Sequence, residues 1–95
     1  MSDAKALAED SVPQLVRGVR LHFDKARDEW VLLAPERTLK LDGIAAEILK
    51  RVDGERSLGA IADDLCQTFN AERAQVLGDC AAFLQQLADR RMVTA

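Results

Sequence analysis

The sequence has no tyrosine, one histidine (His22), two prolines and two cysteines in 95 residues. Cys66 and Cys80 are too few and too far apart for a disulfide framework or a C-x-x-C site. Both are expected to behave as small buried apolar groups in a reducing cytoplasm. No apolar run approaches the ~18–20 residues that span a bilayer. The longest, Trp30-Val31-Leu32-Leu33-Ala34, has the length of a strand. The first ten residues carry acids and no apolar stretch, so no secretory signal is expected there.

Catalytic material is equally scarce. The hydroxyls of Ser2, Ser11, Ser57, Thr38, Thr68 and Thr94 lack a context that would activate them. There is no G-x-G-x-x-G and no P-loop. Nor do Cys, His or carboxylates recur at metal-ligand spacing. Asp63-Asp64 reads as helix surface, with no opposed acid to make a catalytic pair. No catalytic residue, metal or cofactor is therefore expected, and binding is favoured over catalysis.

What is present describes one small domain. Thirteen basic and sixteen acidic residues give a net charge of −3, and 48% of the chain is hydrophobic, enough for a core. Residues 1–14 read as a flexible N-terminal arm that Pro13 separates from the domain over 15–95. Between Arg17 and Leu41 the apolar pattern has period two. Val19, Leu21 and Phe23 alternate with Arg20 and His22. The polar run Asp24 to Asp28 suits a hairpin loop, and Glu29 to Leu33, apolar on both faces, suits a central strand. Pro35 and Glu36 break the run before Arg37-Thr38-Leu39-Lys40-Leu41 alternates again. Short connections between three strands imply an antiparallel sheet.

From Asp42 the period becomes helical. Asp42 caps a first helix whose stripe is Ile44, Ala45, Ile48, Leu49 and Val52, and Asp53-Gly54 stops it. Ser57 caps a second, with the stripe Leu58, Ile61, Ala62, Leu65, Cys66 and Phe69. A third is expected from about Ala71 to Arg91, with Val76, Cys80, Phe83, Leu84 and Leu87 on one face. Gly78 inside it costs ~1 kcal/mol relative to Ala, so irregularity is expected there. Arg90 and Arg91 near its end suit the helix dipole. The fold class is α+β, winged-helix-turn-helix-like, a three-stranded antiparallel sheet followed by three helices.

These segments resemble a known family. Arg17-Gly18-Val19-Arg20-Leu21, Trp30-Val31-Leu32-Leu33-Ala34-Pro35-Glu36, Leu39-Lys40-Leu41 with Ala45 and Ile48-Leu49, and then Asp53-Gly54 look like PqqD, the pyrroloquinoline quinone biosynthesis protein D family. Ile61, Leu65, Phe83-Leu84 and Leu87 fit the same pattern, and the resemblance covers roughly Pro13 to Val93. Ala34 stands where the family usually has an aromatic, and Asp42 where it usually has Asn. The resemblance implies a peptide chaperone or adaptor, not an enzyme. Such proteins bind the precursor peptide PqqA and present it to the radical S-adenosylmethionine enzyme PqqE. Related domains hold a leader peptide as an added strand between the third strand and the third helix.

The residues permit that mode by themselves. The third strand is short, follows a break and reads as an edge, and edge strands carry unpaired main-chain groups that a peptide can use. Peptide binding is thus expected at Arg37, Thr38, Leu39, Lys40, Leu41, Val76, Cys80 and Phe83. Arg37 and Lys40 would set an electrostatic register, while Leu39, Leu41, Val76, Cys80 and Phe83 floor the groove. At an edge such cations also discourage aggregation, and the apolar five also read as core. The alternative is a winged-helix DNA-binding regulator. The third helix argues against it, since Arg73, Arg90 and Arg91 are balanced by Glu72, Asp79 and Asp89. No nucleic-acid or membrane partner is expected. The short connections also permit a homodimer by strand or hairpin exchange.

Overall fold

The computed structural model describes residues 7–95; of the arm read over 1–14, residues 1–6 lie outside that range. The elements are β1 (Gln14–Leu15), β2 (Arg20–Asp24), β3 (Glu29–Ala34), β4 (Arg37–Leu41), α1 (Gly43–Lys50), α2 (Leu58–Phe69), α3 (Arg73–Asp89) and β5 (Val93–Thr94). β2, β3 and β4 form an antiparallel sheet with β3 in the centre. The α+β architecture of a three-stranded antiparallel sheet followed by three helices is what the change of period implied.

Turn chemistry sets the sheet. The Asp24 carboxylate accepts hydrogen bonds from the amides of Ala26 and Arg27, which folds the first hairpin loop. Phe23 and Trp30 meet across β2 and β3 edge to face, with centroids 5.1 Å apart, and the Lys50 ammonium lies 4.9 Å from the indole centroid. Pro35 and Glu36 make the second turn with Glu36 at φ 68°. A fixed proline φ followed by a positive φ suits a type II turn.

Both N-caps form as the sequence suggested. Asp42 accepts from the amide of Ala45 at 2.8 Å, and Ser57 from that of Ala60 at 3.1 Å. Asn70 ends α2 in the left-handed conformation. α3 is two residues shorter at each end than expected and runs unbroken through Gly78. Gly78 is exposed, and a Cβ there would meet nothing within 4 Å. Its cost is one of propensity alone, and packing elsewhere along the helix carries it.

The core lies between the sheet and the helices, around Leu32, Ile48, Leu49, Leu58, Ile61, Leu84 and Leu87. A small second ladder closes it, with Gln14 opposite Thr94 and Leu15 opposite Val93. Upstream, Pro13 is fully buried, and the carbonyls of Glu9 and Ser11 accept from the amides of Gly59 and Leu58. Glu9 also pairs with Arg73, which engages Asp63 on α2. Arg51 holds Glu47 and Asp64, joining α1 to α2.

These ion pairs and turns give stability a pH dependence of known sign. Hydrogen bonds from Arg73 and Arg51 hold the Glu9 and Glu47 carboxyls below the ordinary 4.5. The amides of Arg56 and Glu55 hold Asp53 below 3.8. The unfolded chain therefore binds more protons in acid, so this contribution is full above the ordinary carboxylate values and is lost as pH falls through the lowered ones. Glu9 and Asp53 face solvent and Glu47 is half-buried, so the effect is modest. Urea midpoints should be flat from about pH 8 to 6 and fall between about pH 5 and 3. A midpoint unchanged at the acid end would contradict these assignments.

Candidate functional site

Among the described residues β4 is a sheet edge, hydrogen-bonded only to β3. Ala34 and Arg37 face one another across the two-residue turn. Counted from that closing pair, the alternation of an antiparallel ladder points the main-chain groups of Leu39 and Leu41 toward β3 and those of Thr38 and Lys40 outward. Two amides and two carbonyls thus lie open along the edge.

That edge looks across a groove at α3. The groove holds about 340 Å3 and is lined by Leu39, Lys40 and Leu41 of β4, Ile44 and Ile48 of α1, Phe83 and Leu87 of α3, and Arg90 just past its end. A second pocket of about 190 Å3 shares Ile44, Ile48 and Asp79 with it and continues to Phe69, Val76 and Cys80. At the opposite end Arg90 also borders a depression of about 280 Å3 lined by Arg17, Arg37 and Arg91. The three concavities form one track along α3, from Arg90 back to Val76. At 1.5 Å per helical residue the track is roughly 21 Å long, the span of about six or seven extended residues.

The residues expected from sequence fall along this track with one exception. Leu39, Lys40, Leu41 and Phe83 meet in the central groove, Val76 and Cys80 line the second pocket, and Arg37 stands at the basic end. Thr38 instead borders a depression on the outer face of the sheet, beside His22 and Val31, which Lys40 lines as well as the groove. Cys80 is buried, and that burial, with Asp79 beside it, pushes its thiol up to about 11. At neutral pH it is an inert apolar wall.

Two stripe residues stand apart. Ile44 and Phe69 lie on the same helical stripes as core residues, yet they are 61% and 48% exposed. Ile44 lies in the first turn of α1 and Phe69 is the last residue of α2. Side chains at helix ends project past the layer that covers the middle of the stripe. Both line the track instead, as do Asp42, Asp79, Gln86 and Arg90, which residue type alone did not single out. Among the described residues no helix is long and apolar enough to cross a membrane.

Comparison with known proteins bears on the family and the fold. The family described as coenzyme PQQ synthesis protein D (PqqD) matches residues 29–93. A protein of Rhodopseudomonas palustris (strain HaA2) named PqqA binding protein is 47% identical over 89 residues, covering 94% of this chain and 87% of that one. The solution NMR structure of the PqqD truncation of Methylobacterium extorquens PqqCD has a TM-score of 0.83 at 44% identity, over 96% of this chain and 97% of that one. It is described as a functional, stand-alone recognition element for ribosomally synthesized and post-translationally modified peptides. A lasso peptide synthetase B1 complexed with its leader peptide has a TM-score of 0.74 at 22% identity, covering 90% of this chain and 100% of that one, and shares the fold.

Proposed function

The chain belongs to the PqqD family, and from that premise we propose that it is a recognition element for the precursor peptide PqqA, held as a fourth strand on β4. The observation that carries this reading is the open edge of β4 facing α3 across an apolar-floored groove. Main-chain hydrogen bonds from Thr38 and Lys40 supply sequence-tolerant affinity. The pockets along α3 read alternate side chains. The names of the relatives support the same ligand.

The protein acts as an adaptor and performs no chemistry of its own. It presents the bound peptide to the radical S-adenosylmethionine enzyme PqqE and raises its effective concentration there. The exposed His22, Thr38 and Lys40 on the outer face of the sheet offer a surface for such a partner. A second copy exchanging its hairpin would use the same edge, so exchange and peptide capture compete. DNA binding is disfavoured by charge, since Arg73 of α3 is already paired with Glu9 and Asp63.

Calorimetric titration with a synthetic PqqA peptide tests the reading. Micromolar affinity is expected, with Arg37→Glu weakening it about 3- to 10-fold by turning attraction into repulsion. Absence of binding by the unsubstituted chain would overturn the proposal. Binding indifferent to Arg37→Glu would move the site away from β4.

A further inference from the structure

We infer that the depression ringed by Arg17, Arg37, Arg90 and Arg91 is a carboxylate subsite that takes Asp or Glu side chains of the bound peptide and so decides which end of that peptide lies at the start of β4. The inference rests on the peptide-groove reading and adds to it a ligand chemistry and a polarity.

Four arginines from three separate stretches of chain line the depression, and among the described residues no Asp or Glu does. Among the described residues, none of the four is engaged in an ion pair. Of the other arginines, Arg51, Arg56 and Arg73 hold carboxylates, while Arg20 and Arg27 stand singly outside this depression. Convergent unpaired guanidiniums repel one another and are planar forks suited to carboxylate oxygens. Along the rest of the track the excess of cations disappears: the central groove sets Lys40 and Arg90 against Asp42 and Asp79, and the Phe69 pocket carries Asp79 without a cation. An acidic segment is therefore attracted at one end and repelled toward the other.

The backbone at Arg91 points the same way. The amides of Arg91 and Met92 bond to the carbonyls of Ala88 and Leu87, at 2.9 Å each. This is a Schellman closure of α3, and its left-handed position is normally glycine. Here it is Arg91, at φ 63°. A bulky residue in that conformation is strained, and such strain concentrates at functional positions. A glycine would close the helix more easily but would leave no cation at the groove.

The test uses the full chain, labelled with 15N, and a synthetic PqqA peptide in three forms. One is unmodified, one has its Asp and Glu replaced by Asn and Gln, and one is C-terminally amidated. The unmodified peptide should shift the Nε–H resonances of the four arginines together with the amides of Val76 and Phe83. The neutral form should bind at least ~10-fold more weakly at low salt, with the difference shrinking as salt is raised. Its Arg Nε–H resonances should stay in place. Arg91→Gly should weaken binding of the unmodified peptide several-fold while melting no lower than the parent. Shifts at Val76 and Phe83 without any at the arginines would overturn the subsite and leave the groove intact. No shift at either would overturn the groove reading itself. Loss of the arginine response in the amidated form alone would transfer the ligand to the chain terminus and overturn the side-chain assignment.

Discussion

Leu84→Ala is expected to destabilise the protein by about 3 kcal/mol, within the range for emptying a fully packed leucine site. Leu84 is 0% exposed, on the face of α3 that packs into the core with Leu58, Ile61 and Leu87. Whole-domain stability at this size is of order 5–14 kcal/mol, so the loss is a large share of it. Melting temperature should drop by about 12–24 °C. Urea unfolding would check this, with a lower midpoint and an unchanged slope. The contrast is Ile44→Ala, which should cost less than about 1 kcal/mol because most of that side chain already faces water. If the two variants melted alike, the separation of core from groove drawn here would be wrong.

That separation explains what could be read from the sequence. Strand alternation from Val19 to Leu41, the switch at Asp42 and the caps at Asp42 and Ser57 are local signals, each set by a few neighbouring residues, and they give the sheet and helices. Ile44 and Phe69 obey the helical stripe as well as Ile48 and Leu65 do. Whether a stripe residue is covered depends on what packs over the helix end, which is a tertiary fact. The β1–β5 ladder has two residues on each side, separated by most of the chain. Neither half has enough length for a periodic signal. The basic end of the track is hidden in the same way. Read singly, Arg37 is an edge charge, while Arg90 and Arg91 complement a helix dipole. Only folding brings them beside Arg17. The edge at β4 was legible because edge strands announce themselves by brevity, alternation and a preceding break, whereas a groove between it and the third helix was implied by the family resemblance. Thr38 illustrates the limit of that reading. Its main chain belongs to the edge, and its side chain to the opposite face of the sheet.

The same division between main chain and side chain yields the largest expected effect on binding. Lys40→Pro should weaken PqqA binding by at least ~10-fold, because it removes one outward amide and places a ring where the added strand must approach. The fold should tolerate the change. Lys40 lies on an edge strand, and its N–H points away from β3, the one setting in which a sheet accepts proline. The preceding residue, Leu39, is already extended within β4, as a residue before proline prefers to be. Lys40→Gln separates charge from backbone: it keeps the amide, and its loss of affinity should be a few-fold and diminish with salt. Calorimetry on both variants, with circular dichroism melts alongside, decides the matter. A proline variant that stays folded and binds as well as the parent would show that the peptide does not extend the sheet at β4. One that binds weakly while Lys40→Gln binds nearly normally would assign the affinity to main-chain pairing. The groove's side chains would then govern register and polarity, since every peptide offers the same backbone and only its side chains distinguish one from another.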